Sequence, residues 1–353
     1  MARSQPARGT AWSRILLTFC AVVLALSSLA RAAETDLVIL ANGDQLTGEV
    51  KRLERGRLRF KTDSLDTVLI EWLDIVELES AGVFEVELDS GVKHTGTLSS
   101  SDADERHLQV IGDGTGAVLP MASIVRMTPI EHGFWQRQDG SLSLGFSTAK
   151  ANNSTQFNIG LGSSHRSPRW LRTLNVNSNV TRQDGVEDSS RSSASFYLTR
   201  FLAERRLFLA FGQLQENEEL ALKVRVLAGV AYGRYVKQTN HTELSLFGGL
   251  AVNREDFGDS DGPEGEIEAL GALRLSIFTF DTPETQLDLK LFVYPGLSES
   301  GRGRAELDIT LRRELLEDFF WDLSFYNSFD SQPPIEGLEK NDWWLVTGLG
   351  WSW

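Results

Sequence analysis

Between Gly140 and Trp353, apolar and polar residues alternate with a period of two through twelve successive segments. Successive side chains of an extended strand point to opposite faces, so this pattern is that of β-strands with one apolar face. "SLSLGF" groups Leu142, Leu144 and Phe146, and "QFNIGL" groups Phe157, Ile159 and Leu161. Leu174 and Val176 oppose Asn175, Asn177 and Asn179; Ala194, Phe196 and Leu198 follow, then Leu207, Leu209 and Phe211. In the sixth segment Leu222, Val224, Val226, Ala228 and Val230 oppose Lys223 and Arg225, and the seventh carries Leu244, Leu246, Leu250 and Val252. Ile267, Leu273, Leu275 and Ile277 oppose Glu266, Glu268 and Arg274; Leu287, Leu289, Leu291 and Val293 oppose Asp288 and Lys290. Leu307, Ile309 and Leu311 oppose Glu306, Asp308 and Arg312, and Phe319, Trp321, Leu323 and Phe325 oppose Asp322 and Ser324. The last segment, "LVTGLGWSW", sets Leu345, Leu349, Trp351 and Trp353 against Gly348 and Gly350.

A sheet that is apolar on one side has two solutions. A soluble sandwich or lipocalin-like barrel turns its apolar face inward, and a membrane-spanning barrel turns it outward. Alternation alone fits both, and three further features favour the second. Twelve is an even number, and the segments supply the roughly 9 to 11 residues that a tilted spanning strand needs. Compact connections such as "HRSPR" and "LAERR" alternate with longer acidic or glycine-rich ones such as "TRQDGVEDSS" and "NREDFGDSDGPEGE", the asymmetry expected of periplasmic turns and outer loops. Trp343 and Trp344 lie at one end of the last segment and Trp351 and Trp353 at the other. Ten residues at about 3.3 Å each, tilted by about 40°, give roughly 25 Å of height, close to the apolar band between aromatic girdles.

Residues 34–130 read as a separate unit containing an internal repeat. "LANGDQLTGEV" from Leu40 parallels "LDSGVKHTGTL" from Leu88, and each is followed by a short alternating strand around Leu58 and Phe60 or Leu108 and Val110. Each copy then closes alike, with Ile70, Trp72, Ile75 and Val76 matching Leu119, Met121, Ile124 and Val125. Asn42-Gly43 and Ser90-Gly91 supply tight hairpin turns. The expectation is two small β units, SH3-like or Sm-like, packed together. Arg57, Arg59 and Lys61 share one face of a strand, which reads either as a solvated surface or as a site for an anionic glycan. Residues 131–139 read as a linker whose Phe134 and Trp135 suit a membrane boundary.

The first 33 residues have the layout of a cleaved export signal: Arg3, Arg8 and Arg14, an apolar run from Ile15 to Leu29, and the small-x-small site Ala30-Arg31-Ala32. Cleavage removes four arginines and no acid, taking the net charge from −14 to −18, and it removes Cys20, the only cysteine. An acidic exported chain lacks the basic footprint of a nucleic-acid binder. No later apolar run is long enough for a membrane helix.

The region from Gly140 to Trp353 resembles the salt-induced outer-membrane protein family, domain-of-unknown-function family 481. The resemblance rests on the opening "GSLSLGFSTAKANNSTQFNIGL", on the Gly/Tyr-rich "VLAGVAYGRYV", and on the upstream "LANGDQLTGEV" module. The family's first hairpin tip carries a glycine where this chain has Ala151. The resemblance implies an outer-membrane barrel and no established activity. "LVTGLGWSW" also resembles the terminal strand by which such barrels are recognised for assembly, with Leu345, Leu349, Trp351 and Trp353 as the signal residues.

Candidate chemistry is sparse. His165 and Ser167 have the spacing found in some outer-membrane lipid hydrolases, but they lie at a compact turn without an orienting partner. His94 and His107 lack metal-ligand spacing. The acidic stretch Glu255–Glu266 lacks calcium-loop spacing and reads as a solvated outer loop. The charges expected to line the lumen are Lys223, Arg225, Arg274, Asp288, Lys290, Glu306, Asp308 and Arg312. Small barrels fill themselves with side chains and large ones leave a channel, and twelve strands fall between.

The expectation is therefore an all-β chain: a transmembrane antiparallel barrel of about twelve strands in the outer membrane, preceded by a periplasmic duplicated β module. The expected role is non-enzymatic, in envelope adaptation or narrow small-solute passage. A lipid hydrolase and a peptidoglycan-anchoring protein are the alternatives. Expected partners are outer-membrane lipid, lipopolysaccharide, the barrel-assembly machinery and peptidoglycan, with no cofactor and no nucleic acid.

Overall fold

The computed structural model describes residues 36–102, 106–112, 116–130, 138–149, 154–183, 189–217, 222–257, 264–298, 301–333 and 339–351. They form two β-sheets, and the helical residues among them are two short 3-10 turns, Trp72–Asp74 and Met121–Ser123. The export signal expected over residues 1–33 lies outside the described residues, as do Phe134 and Trp135.

The first sheet has nine strands: β1 (Asp36–Leu40), β2 (Gln45–Glu54), β3 (Arg57–Thr62), β4 (Asp66–Glu71), β5 (Ile75–Leu88), β6 (Lys93–Asp102), β7 (His107–Ile111), β8 (Gly116–Pro120) and β9 (Ile124–Pro129). Their order is β4-β3-β2-β1-β5-β6-β7-β8, with β9 pairing β2 and β5. The sequence repeat is visible here as a structural one. In each copy the fourth strand runs into a 3-10 turn and then a closing strand. The long β5 closes the first copy against β1 and, from Phe84 onward, opens the second against β6 and β9.

Gly48 and Gly96 are equivalent positions, and a Cβ on either would come within 2.1 Å of the Lys61 carbonyl oxygen or 2.3 Å of the Ile111 carbonyl oxygen. The crossing of neighbouring backbones therefore requires glycine at both. Alternation delivers Leu53, Leu58, Phe60, Trp72 and Ile75 from the first copy to the same buried cluster as Phe84, Leu108, Met121, Ile124 and Met127 from the second. The Trp72 indole donates to the Met121 carbonyl at 2.6 Å, joining the two equivalent turns across this shared core.

The second sheet has twelve antiparallel strands in sequence order: β10 (Gln138–Ala149), β11 (Ser154–Arg166), β12 (Trp170–Gln183), β13 (Ser189–Phe201), β14 (Arg206–Asn217), β15 (Leu222–Gln238), β16 (Thr242–Phe257), β17 (Glu264–Thr279), β18 (Thr285–Pro295), β19 (Gly303–Leu316), β20 (Phe319–Asp330) and β21 (Asn341–Trp351). The register puts like positions side by side: Leu142 meets Leu161, Leu161 meets Val176, and Val176 meets Ala194. The sheet curls strongly, because one cavity is lined by β13, β14, β16, β17, β18, β19 and β20 together. Exposed Leu246, Leu250, Val252, Ile267 and Val293 lie on the convex side, and the charged partners of the alternation lie on the concave side.

Two expectations about this sheet change. Leu207, Leu209 and Phe211 face the concave side, where Leu207 and Leu209 are buried, and Phe208 and Leu214 of the same strand face outward. The strand is apolar on both faces because its inner side fills the interior. Closure of β21 onto β10, expected because an edge in lipid leaves backbone groups unpaired, is not formed among the described residues. The two strands are the ends of the sheet, and Leu144 and Leu349 are 73% and 67% exposed. Their inward faces carry Ser143, Gly145, Gly348 and Gly350, which offer little to pack across a seam; a Cβ on Gly348 would meet nothing within 4 Å.

Candidate functional site

The concave side is organised in layers. At the long-loop end, Arg302 binds Glu266 at 3.1 Å, Asp330 at 2.8 Å and Glu255 at 3.5 Å. Glu255 also accepts from Arg225 at 2.7 Å and from the Asn253 amide at 2.9 Å. Burial alone would pull the Arg302 guanidinium down, but Asp330, Glu255 and Glu266 outweigh it and hold it above its ordinary value. One step inward, Arg304 grips Glu268 through two bonds of 2.7 Å and lies over the Tyr294 ring at 5.0 Å. A paired guanidinium fork suits a carboxylate and satisfies charges that burial would otherwise make costly.

Beneath this layer lies a cavity of about 140 Å³. Its wall is aromatic, with Tyr197, Phe211, Phe247, Phe292, Tyr294 and Tyr326, and it also carries Arg274, Lys290, Glu306 and Asp308. Arg274 sits 5.7 Å from both the Phe247 and the Phe292 ring centres.

The nine-stranded module covers the short-turn end. Its β2–β3 turn sends Arg55 to Asp288 at 3.1 Å and over Phe278, while Arg57 reaches Glu284 at 3.4 Å and stacks on Phe280 at 3.4 Å. Arg52 and Arg59 bind the two oxygens of Asp139 at 2.7 and 2.9 Å. The Asn240 amide of the β15–β16 turn donates to the carbonyls of Ala122 and Ile124 at 3.1 and 3.0 Å. Arg126 joins the two parts most deeply, bonding Glu87 of the module at 3.0 Å and Glu243 of the sheet at 3.3 Å, with the Phe201 and Tyr235 rings 5.5 and 5.6 Å away. Burial opposes its charge, but Tyr235, Glu87 and Glu243 prevail and hold it above the ordinary arginine value.

The sequence-predicted residues distribute unevenly over this architecture. Arg225, Arg274, Asp288, Lys290, Glu306 and Asp308 face the concave side. Lys223 does not join them: it falls at a bulge between Leu222 and Val224 and is exposed. Arg312 pairs with Asp322 at 2.8 Å in a largely exposed position. Leu345, Leu349 and Trp351 share the convex face, in register with Phe325, Trp321 and Phe319, and Trp353 lies outside the described residues. In the stripe of Arg57, Arg59 and Lys61, two members are not simply solvated, because Arg57 and Arg59 bind the twelve-stranded sheet. The stretch Glu255–Glu266 departs from a solvated loop at both ends, where Glu255 and Glu266 are 3% and 6% exposed and share Arg302; residues 258–263 lie outside the described residues.

The Ser167 hydroxyl is engaged within its own turn, with the Trp170 carbonyl at 3.3 Å and the Trp170 amide at 3.2 Å, and His165 Nδ1 lies 3.3 Å from Arg172. Sequence reasoning missed Arg302, Arg304 and Asp330. Arg304 carried a signal, since it precedes Glu306 by two residues in the same alternation. Arg302 and Asp330 sit where the alternation ends and carried none.

No curated protein and no solved structure matches the chain. The model of one family, described as a protein of unknown function, DUF481, matches residues 142–353, which spans β11 to β21 and two thirds of β10. On that match, with the twelve-stranded sheet it covers, the chain belongs to the DUF481 family.

Proposed function

We propose that this protein is a non-enzymatic outer-membrane β-barrel with a narrow lumen that is closed at both ends in the described state. The observation that carries this reading is the inverted polarity of the twelve-stranded sheet. Its convex face presents leucine, valine, isoleucine and phenylalanine, with arginines 200, 206, 234, 254 and 313 near strand ends, and its concave face holds the ion pairs. A soluble barrel has the reverse arrangement, and lipid tolerates charge only near its boundaries or inside the protein. Aromatic pairs flank the apolar band, with Phe146–Phe157 and Phe325–Trp343 toward the long loops and Phe319–Trp351 toward the short turns.

On this reading the leader directs export, the short turns and the SH3-like or Sm-like module lie in the periplasm, and lipopolysaccharide surrounds the long-loop end. The terminal strand is then the element handled by the barrel-assembly machinery, and β10 and β21 pair in lipid. The role is envelope adaptation or restricted passage of small solutes, since the Arg302–Arg304 layer and the docked module both obstruct the lumen. Arg55, Arg57 and Arg126 of the module are engaged by the sheet, which disfavours anchoring to an anionic glycan through them, and the engagement of Ser167 in its turn disfavours hydrolysis.

Outer-membrane fractionation and gel mobility of heated against unheated protein test the architecture. The expected result is an outer-membrane protein whose unheated form migrates faster. A periplasmic protein with no mobility shift would overturn the reading. In planar bilayers the intact chain is expected to show little or no steady conductance.

A further inference from the structure

One cluster of cations at the docking seam has no role in the lumen and is only partly used by docking. Between β2, β3 and the feet of β10 and β11 lies a cavity of about 190 Å³ whose lining includes Lys51, Arg52, Arg59 and Arg166, with Asp139 as its one carboxylate among the described residues. We propose that this cavity binds a phosphate group.

Three observations converge on an anion. Arg52 and Arg59 come from adjacent strands and aim at one point, where Asp139 takes one bond from each at 2.7 and 2.9 Å. Each guanidinium carries five donors in a planar fork, so both keep donors for a second anion beside that carboxylate. Arg166 supplies the second observation. It lies over the Phe201 ring at 4.2 Å and has no ion pair among the described residues, while Arg126 lies over the same ring at 5.5 Å. Arg126 is paired directly with Glu87 and Glu243, whereas Arg166 feels Glu54 and Glu87 only at longer range. The third is the charge balance. Flanking acids Glu49 and Glu54 pair with Lys51 and Arg52 at 2.5 and 2.9 Å. The described lining of the cavity itself carries four cations and one carboxylate. A phosphodiester or a singly ionised phosphate would reduce that imbalance, and Thr67 and Thr128 of the lining supply hydroxyls beside it.

A phosphodiester would come from a phospholipid headgroup and a singly ionised phosphate from solution. The cavity adjoins β10, one of the two end strands of the sheet. The lipid source rests on the outer-membrane reading, whereas the anion site does not.

The test is calorimetric titration of the full chain in non-ionic detergent with two probes: inorganic phosphate, and dihexanoyl phosphatidylglycerol below its micelle concentration. Saturable one-to-one binding of either is expected, and which probe binds identifies the source. Arg166→Gln is expected to weaken binding roughly tenfold, the size of one charge-assisted contact. Asp139→Asn is expected to tighten it by removing the competing carboxylate, a gain that misfolding cannot imitate. Binding of neither probe, wild-type binding by Arg166→Gln, or weaker binding by Asp139→Asn would each overturn the proposal. Outer-membrane fractionation of the same samples tests the membrane reading separately.

Discussion

Arg55 Nη2 lies 3.1 and 3.3 Å from the two oxygens of Asp288, a carboxylate on the concave face of β18 that also accepts from Ser276 at 2.5 Å. This is where the module enters the mouth of the sheet. The pair is partly exposed, at 41% and 35%, so it contributes on the order of 0.2–1 kcal/mol. Arg55→Ala alone is therefore expected to leave the module docked. Arg55→Ala with Arg57→Ala also removes two ring contacts, and is expected to raise hydrogen exchange in residues 239–242 severalfold while heat-dependent gel mobility stays unchanged. Unchanged exchange in the double variant would show that these arginines do not hold the module.

Arg126 is the deeper link. Its side chain is 7% exposed, and Glu87 beside it is 6% exposed. Gln238, 1% exposed, accepts from both terminal nitrogens at 3.0 and 3.2 Å with its amide in the orientation those donors require. Arg126→Met leaves Glu87 and Glu243 without a counter-charge, and losing one partner of a buried pair costs about 3–5 kcal/mol. The expected outcome is proteolysis within residues 36–129 under conditions where the native chain resists. Met at 126 with Gln at both 87 and 243 is expected to recover most of that resistance. A triple variant as sensitive as Arg126→Met would show that packing, rather than charge, was lost.

Docking also carries a pH dependence, at Glu71. Burial pushes this carboxyl above the ordinary carboxylate range, and Asp281 and Asp74 push it further, while Arg57 opposes them. A carboxyl with a raised value in the docked state binds its proton more readily there than when released. Docking is therefore favoured below the ordinary carboxylate value and loses that contribution as pH rises through the raised value. Glu71→Gln is expected to make protection of the module from exchange at neutral pH match that of the native chain in mild acid. A variant that keeps the native pH profile would remove Glu71 as its source.

Much of this architecture could be read from the period-two pattern. Ile267 against Glu268, and Leu307 against Glu306, placed the two faces correctly because lipid-like and charged surfaces segregate strictly in strands that divide them. The pattern failed at β14, where Leu209 and Phe211 are apolar because they fill the interior. It failed again at Lys223, where a bulge breaks the phase. Docking was not legible. Arg57 and Arg59 look like any solvated pair until the fold brings Glu284 and Asp139 to them across about 80 residues or more of chain. Long-range ion pairs leave no periodic trace, and the same holds for Arg302, which gathers Glu255, Glu266 and Asp330 from three different strand ends.

The lumen offers the sharpest test of the proposed passage, because its two obstructions lie in series. The Arg302 and Arg304 layer blocks the long-loop end, and the module covers the short-turn end. Resistances in series add, and each obstruction is expected to block by itself, so relieving either alone should change little. Arg302→Ser with Arg304→Ser leaves Glu266 and Glu268 without their counter-charges and Glu255 with Arg225 alone, which favours separation of the layer. That variant, and the Arg55→Ala and Arg57→Ala variant, are each expected to conduct close to background in planar bilayers. All four substitutions together are expected to give steady openings well above the sum of the two, with cation preference from the unpaired carboxylates. Large conductance from the arginine-layer variant alone would mean that the module does not obstruct the passage. Silence from the fourfold variant, in protein that still shows heat-dependent mobility and whose residues 239–242 exchange as fast as with the module released, would mean that the aromatic middle around Phe247 and Phe292 closes the lumen by itself and that the role is structural.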